Sequence, residues 1–96
     1  MQAVSPKGAV GVMQIMPKTA ALYGVSRQEL FEPDINIQVG LHYLKEMLHI
    51  FKSRDLAMAA YNCGPQRVID AGYRIPRIQE TVDYVRRVNN AVKRYK

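Results

Sequence analysis

Acid–base chemistry in this 96-residue sequence falls to four glutamates, since its one cysteine and two histidines form no recognisable catalytic or metal-binding pair. Glu29 and Glu32 flank Leu30-Phe31 in a polar stretch, and Glu46 sits beside Lys45, off the apolar stripe of its segment. All three read as solvated surface charges. Glu80 stands where a helix is expected to begin, and free N–H groups there would favour its charged form, which is the wrong direction for a general acid. It is better suited to binding or orienting a ligand. Cys63 has no base near it in sequence and reads as a buried, inert thiol. His42 and His49 lack cysteine or acidic partners at metal-ligand spacing, and a single cysteine forms no internal disulfide, so the sequence implies neither metal nor cofactor.

The elements that must position these groups are helical. From Asn36 to about Phe51, apolar residues recur at Ile37, Leu41, Leu44, Leu48 and Phe51, alternating steps of four and three that trace one helical face. This predicts a central core helix with Pro33 as a stop before it and Asp34 or Asn36 as its N-cap. Val82, Val85, Val88, Val92 and Tyr95 predict a second amphipathic helix from about Ile78, with Pro76 just outside. Shorter helices are expected around Val10 to Met16, from Pro17 to Tyr23 with Gly24 ending it, over Leu56 to Asn62, and from Pro65 to Ala71 before Gly72. With no strand pattern, internal repeat or linker, the chain reads as an all-α single domain.

Composition agrees with one small core: 48% hydrophobic, 23% charged, and enough length to bury somewhat over ~60% of the unfolded surface. No run approaches a membrane-spanning length, and the N-terminus lacks a signal-peptide pattern. The net charge of +6 suits an anionic partner. Arg86, Arg87, Lys93, Arg94 and Lys96 crowd the C-terminal end after Glu80 and Asp83, an order that a helix macrodipole favours by itself. No arginine-rich run interleaves with aromatics, which argues against a nucleic-acid groove.

Several collinear segments carry a family resemblance. They are Ser5-Pro6-Lys7-Gly8-Ala9, Gly11-Val12-Met13-Gln14, Asp34-Ile35-Asn36-Ile37-Gln38-Val39-Gly40, Ala60-Tyr61-Asn62-Cys63-Gly64, and Glu80-Thr81 with Tyr84-Val85. Together they resemble the SLT domain of soluble lytic transglycosylases, which cleave bacterial peptidoglycan. The resemblance implies a lysozyme-like (goose-type/SLT) helical fold, with residues 1–96 as a single partial SLT domain.

In that family the first segment follows closely on a Glu-Ser-x-aromatic-Asn-Pro stretch whose Glu is the catalytic acid/base. Gln2-Ala3-Val4-Ser5 matches the remainder of that stretch, with Met1 where the Pro is expected, so the catalytic Glu and its N-terminal helix are expected to lie before Met1. The family chemistry needs one carboxyl group. It protonates the β-1,4 bond between N-acetylmuramic acid and N-acetylglucosamine, then as a base helps the muramoyl 6-hydroxyl close a 1,6-anhydro ring. These 96 residues alone are therefore expected to be inactive, with the parent protein in the bacterial envelope, periplasm or medium. The other reading is a non-catalytic peptidoglycan-binding or scaffolding module.

The resemblance also names substrate contacts. Ser5 matches a serine close to the reaction centre, where its hydroxyl meets the acetamido sugar or the catalytic carboxylate; alternatively it is a turn residue before Pro6. Gln14 would project from its short helix toward sugar oxygens, or be a surface glutamine. Met13 lines the cleft or fills the core. Tyr61 offers a ring face and a hydroxyl, and Asn62 reaches substrate or caps the helix end. Glu80 matches a glutamate near the substrate groove. Finally, loss of the preceding helix is expected to expose apolar side chains such as Val10, Val12 and Leu44, and to promote self-association.

Overall fold

The computed structural model describes residues 4–94 and contains five α-helices: α1 (Pro17–Leu22), α2 (Pro33–Phe51), α3 (Arg54–Cys63), α4 (Pro65–Asp70) and α5 (Gln79–Arg94). Among the described residues there is no named strand, only two isolated antiparallel bridges, Val4 with Val10 and Val10 with Ile15. The Met1 and Gln2-Ala3 matches lie outside the described residues, as do Tyr95, Lys96 and the side chain of Arg94. The chain divides into two compact units, with the boundary inside α2 between Tyr43 and Leu44.

The first unit is built around a side chain in α2. Asn36 is fully buried, and its amide serves three backbone segments: Oδ1 accepts from the Met13 N–H at 2.8 Å, while Nδ2 donates to Val10 O at 2.8 Å and Leu30 O at 3.0 Å. A buried amide must find such partners, and here they pin a turn and a 3-10 turn (Glu29–Phe31) to the helix. Gly11 makes the approach feasible. A Cβ at Gly11 would stand 2.5 Å from Asn36 Nδ2, and its φ of +78° is itself a glycine conformation. Gly40 has the same function on the next turn of α2, leaving room for the Met13 side chain. Val10, Ile15, Ala20, Leu30, Val39 and Tyr43 are buried in this unit.

Three expectations fail here. Residues 10–16 are not helical, because the positive φ at Gly11 and Gln14 and the pairing of Val10 with Ile15 close a tight turn instead. Pro33 is not a stop but the first residue of α2, where its missing N–H costs nothing, and Asn36 lies inside the helix. The buried side of α2 also differs from the one the periodicity selects. Of the predicted row Phe51 is buried, Leu44 is half-buried and Ile37, Leu41 and Leu48 are exposed, whereas Val39, Tyr43 and Met47, outside that row, are buried. Both rows have helical spacing, so apolar period alone does not choose between them.

In the second unit α3 packs against both α4 and α5. Ser53 caps α3 by accepting from the Leu56 N–H at 3.4 Å, and the helix ends at Gly64, whose φ is +95°. The run Ala57-Met58-Ala59-Ala60 is buried throughout, and its small side chains let α5 come close. Asn89 of α5 donates to Asp55 of α3 at 3.1 Å, tying the two helices at a second level. Val68 of α4, Val85 of α5, and Met47 and Phe51 of α2 are also buried in this unit.

Candidate functional site

Tyr61 and Asn62 occupy the last turn of α3, and Glu80 the first turn of α5. Gly64 ends α3 there, and Gln79 and Glu80 open α5. Thr81, only 1% exposed, donates from Oγ1 to Asn62 Oδ1 at 2.9 Å. Asn62 then points Nδ2 at Glu80 Oε2, 3.4 Å away. The hydroxyl thus sets the orientation of the amide, and the amide presents its donor to a carboxylate, which can only accept. Glu80 is exposed and borders an open hollow on α5 with Gln79, Asp83, Arg86 and Arg87. A carboxylate flanked by an amide and two guanidinium groups is suited to hydrogen-bonding a polyhydroxylated ligand.

Tyr61 lies with its ring nearly parallel to that of Tyr84, at an interplanar angle of 5° and a centroid distance of 6.4 Å. Tyr84 is half-buried, and desolvation pushes its phenol up despite Arg87. Burial likewise pushes the Cys63 thiol up, opposed by the neighbouring Thr81 side chain and the charge of Arg67. A thiol held protonated is a poor nucleophile.

In the first unit Ser5 closes the turn that leads to Val10. Its Oγ accepts from the Ala9 N–H at 3.0 Å, and its backbone N–H donates to Ala9 O at 2.8 Å. That leaves the hydroxyl proton to donate elsewhere. Gln14 is exposed, adopts a φ of +51°, and folds back so that Nε2 donates to Gly11 O at 2.8 Å. Its placement comes from this turn rather than from a helix. Ser5 and Gln14 therefore belong to one unit and Tyr61, Asn62 and Glu80 to the other.

Two interactions escaped the sequence reading. Thr81, which orients Asn62, stood in the Glu80-Thr81 motif without a role of its own. Ser26 and Glu29 form a reciprocal capping box, with Ser26 N–H to Glu29 Oε1 at 3.0 Å and Glu29 N–H to Ser26 Oγ at 3.1 Å. The Ser-x-x-Glu spacing signals it. Those hydrogen bonds hold the Glu29 carboxyl below its ordinary value.

The model of the transglycosylase SLT domain family matches residues 1–80. The chain belongs to the SLT transglycosylase family. Among relatives of this SLT chain, the soluble lytic murein transglycosylase of Salmonella typhimurium is 42% identical over 67% of the chain, and that of Escherichia coli K12 is 41% identical over the same share. The aligned part is 11% of each relative's length. Among solved structures, an inactive glutamate-to-glutamine mutant of the lytic transglycosylase Slt of Pseudomonas aeruginosa superposes with a TM-score of 0.69 at 37% identity, covering 88% of this chain and 17% of that one. The fold of this SLT chain is accordingly all-α and lysozyme-like. No helix among its described residues is long and apolar enough to cross a membrane.

Proposed function

We propose that residues 1–96 form one SLT domain, the substrate-holding part of a longer peptidoglycan lytic transglycosylase that cleaves the β-1,4 bond between N-acetylmuramic acid and N-acetylglucosamine with formation of a 1,6-anhydro ring. The observation that carries this reading is the family match over residues 1–80. Ser5, Gln14, Tyr61, Asn62 and Glu80 are the proposed glycan contacts. The relatives are named for murein, the wall polymer, which supports an envelope location for the parent.

The general acid is proposed to come from outside these residues. Glu32, Glu46 and Glu80 are exposed, and the carboxyl of Glu29 is held low by its capping box. None has the apolar surroundings that keep a carboxylic acid protonated near neutral pH. The chain alone then binds glycan without cutting it. The second reading, a binding or scaffolding module, shares these proposed contacts and differs only in whether an acid is supplied to them. The proposal includes self-association, with a second copy covering Ile37 and Leu41, exposed in the first unit; Val10, expected among the exposed apolar residues, is fully buried and takes no part.

The test is incubation of the purified chain with peptidoglycan, mass spectrometry of soluble products for 1,6-anhydromuropeptides, and a parallel pull-down on insoluble wall. Retention on the wall without anhydro products is expected. Anhydro products that vanish on Glu80→Gln would overturn the assignment of the acid, and absence from the pellet would sink the binding role.

A further inference from the structure

Two hydrogen bonds show that α3 and α5 run antiparallel. Asn62 meets Thr81 at one end of the pair, and Asp55 meets Asn89 at the other. This second end therefore lies opposite Tyr61, Asn62 and Glu80, about 15 Å away along the ten residues of α3. α2 also finishes there, since only Lys52 and Ser53 separate Phe51 from Arg54. The Tyr73 ring, 6.1 Å from that of Phe51, brings the turn after α4 to the same place.

This end is basic. The entire net charge of +6 falls in the second unit: residues 44–96 hold eleven Lys and Arg against five Asp and Glu, while residues 1–43 hold three of each. Lys52, Arg54, Arg74 and Lys93, the last one turn beyond Asn89, are exposed, and none has an ion-pair partner among the described residues. Of the nearby carboxylates, Asp55 accepts from Asn89 at 3.1 Å and Asp70 from Gln66 at 2.9 Å. Exposed apolar groups stand among the cations: Leu48 and Ile50 in the last turn of α2, and Tyr73, 58% exposed. Tyr73 has a φ of +60°, a conformation that bulky residues rarely take, and its ring is left largely in water.

We infer that this end of the second unit adsorbs to an anionic lipid bilayer. Lys52, Arg54, Arg74 and Lys93 meet lipid phosphates, and Leu48, Ile50 and Tyr73 enter the boundary between headgroups and acyl chains. A hydrated polyanion satisfies the cations equally well but leaves those apolar groups in water, whereas a bilayer covers both. Adsorption in this way turns Tyr61, Asn62 and Glu80 away from the lipid. It depends on nothing in the glycan reading and requires no spanning helix.

The experiment sediments the purified chain with sucrose-loaded vesicles of phosphatidylcholine, alone or mixed with phosphatidylglycerol. The mixed vesicles should carry the chain down, the neutral ones should not, and added salt should release it. Lys52→Gln combined with Arg74→Gln should weaken the partition by about thirtyfold, and Leu48→Gln, which leaves the charge unchanged, by about fivefold. Arg67→Gln, near Gly64 at the opposite end, lies beyond the screening length of about 10 Å and should leave the partition within about twofold. All four side chains are exposed, and an unchanged melting transition checks that each variant is folded. Absence from the mixed vesicles, equal partition onto both kinds, or a loss in Arg67→Gln as large as in the double variant would each overturn the inference. So would a Leu48→Gln partition equal to the parent's, which would assign the surface to soluble polyanions.

Discussion

Thr81 Oγ1 stands 2.9 Å from Asn62 Oδ1, and this one contact decides which end of the Asn62 amide faces Glu80. The threonine is buried while the groups it organises are reached by solvent, so orientation comes from the interior and recognition takes place at the rim. Thr81→Val keeps the shape and removes the hydroxyl. It should cost about 1–2 kcal/mol in urea denaturation, and weaken retention on peptidoglycan as well. Retention unchanged in the folded variant would disconnect Asn62 from ligand.

Tyr61 gives a sharper test of the same surface. Tyr61→Phe keeps the parallel packing on Tyr84 and removes only the hydroxyl, whereas Tyr61→Ala removes the ring. If the ring face is the glycan contact, the alanine variant should lose binding by about tenfold or more and the phenylalanine variant by much less. Equal losses would assign the effect to the hydroxyl.

Asn36 is the strongest stability prediction. Replacing it with leucine removes three hydrogen bonds at once and strands the groups on Val10, Met13 and Leu30, which should cost about 3 kcal/mol or more. Gly11→Ala should also destabilise, by about 2 kcal/mol or more, since it combines a positive φ with a clash against that amide. Melting temperatures within a degree of the parent would refute both.

Cys63 supplies a pH test. Burial raises its thiol above the ordinary cysteine value, so folding favours the protonated form. The stability this contributes is complete below the unfolded pKa and is lost as pH rises through the folded one. Alkylation by iodoacetamide should be slower in the folded chain than in urea throughout the range below that value. Faster labelling when folded would reverse the assignment.

Leu41→Lys places a charge in the exposed row of α2. Sedimentation velocity should show concentration-dependent association of the parent and a monomer for the variant. A parent that stays monomeric at high concentration would remove self-association from the proposal.

The sequence carried most of the architecture. Its punctuation located α1, α3, α4 and α5 to within a few residues, because prolines at helix starts and glycines at helix ends act through local backbone chemistry. Pro33 was misread locally, as a stop instead of the first residue of α2; the other misassignments were tertiary. Ile37, Leu41 and Leu48 have the same helical spacing as Val39, Tyr43 and Met47, and only packing partners distant in sequence select the buried row. Residues 10–16 read as a helix because the alternative depends on Asn36, more than twenty positions away, accepting from Met13 and donating to Val10. The proposed contacts were named through family motifs. The threonine that orients one of them lies in such a motif, but its contact with Asn62 arises only when α3 and α5 pack.

The shared amide of Asn36 has a kinetic consequence. A hydrogen bond from the Met13 N–H to the side chain of another element breaks only when that side chain leaves, and the same departure frees Val10 O and Leu30 O. Hydrogen exchange at Met13 therefore reports the joint opening of three segments instead of local fraying of its own turn. Within that turn, this single amide proton should be among the slowest to exchange.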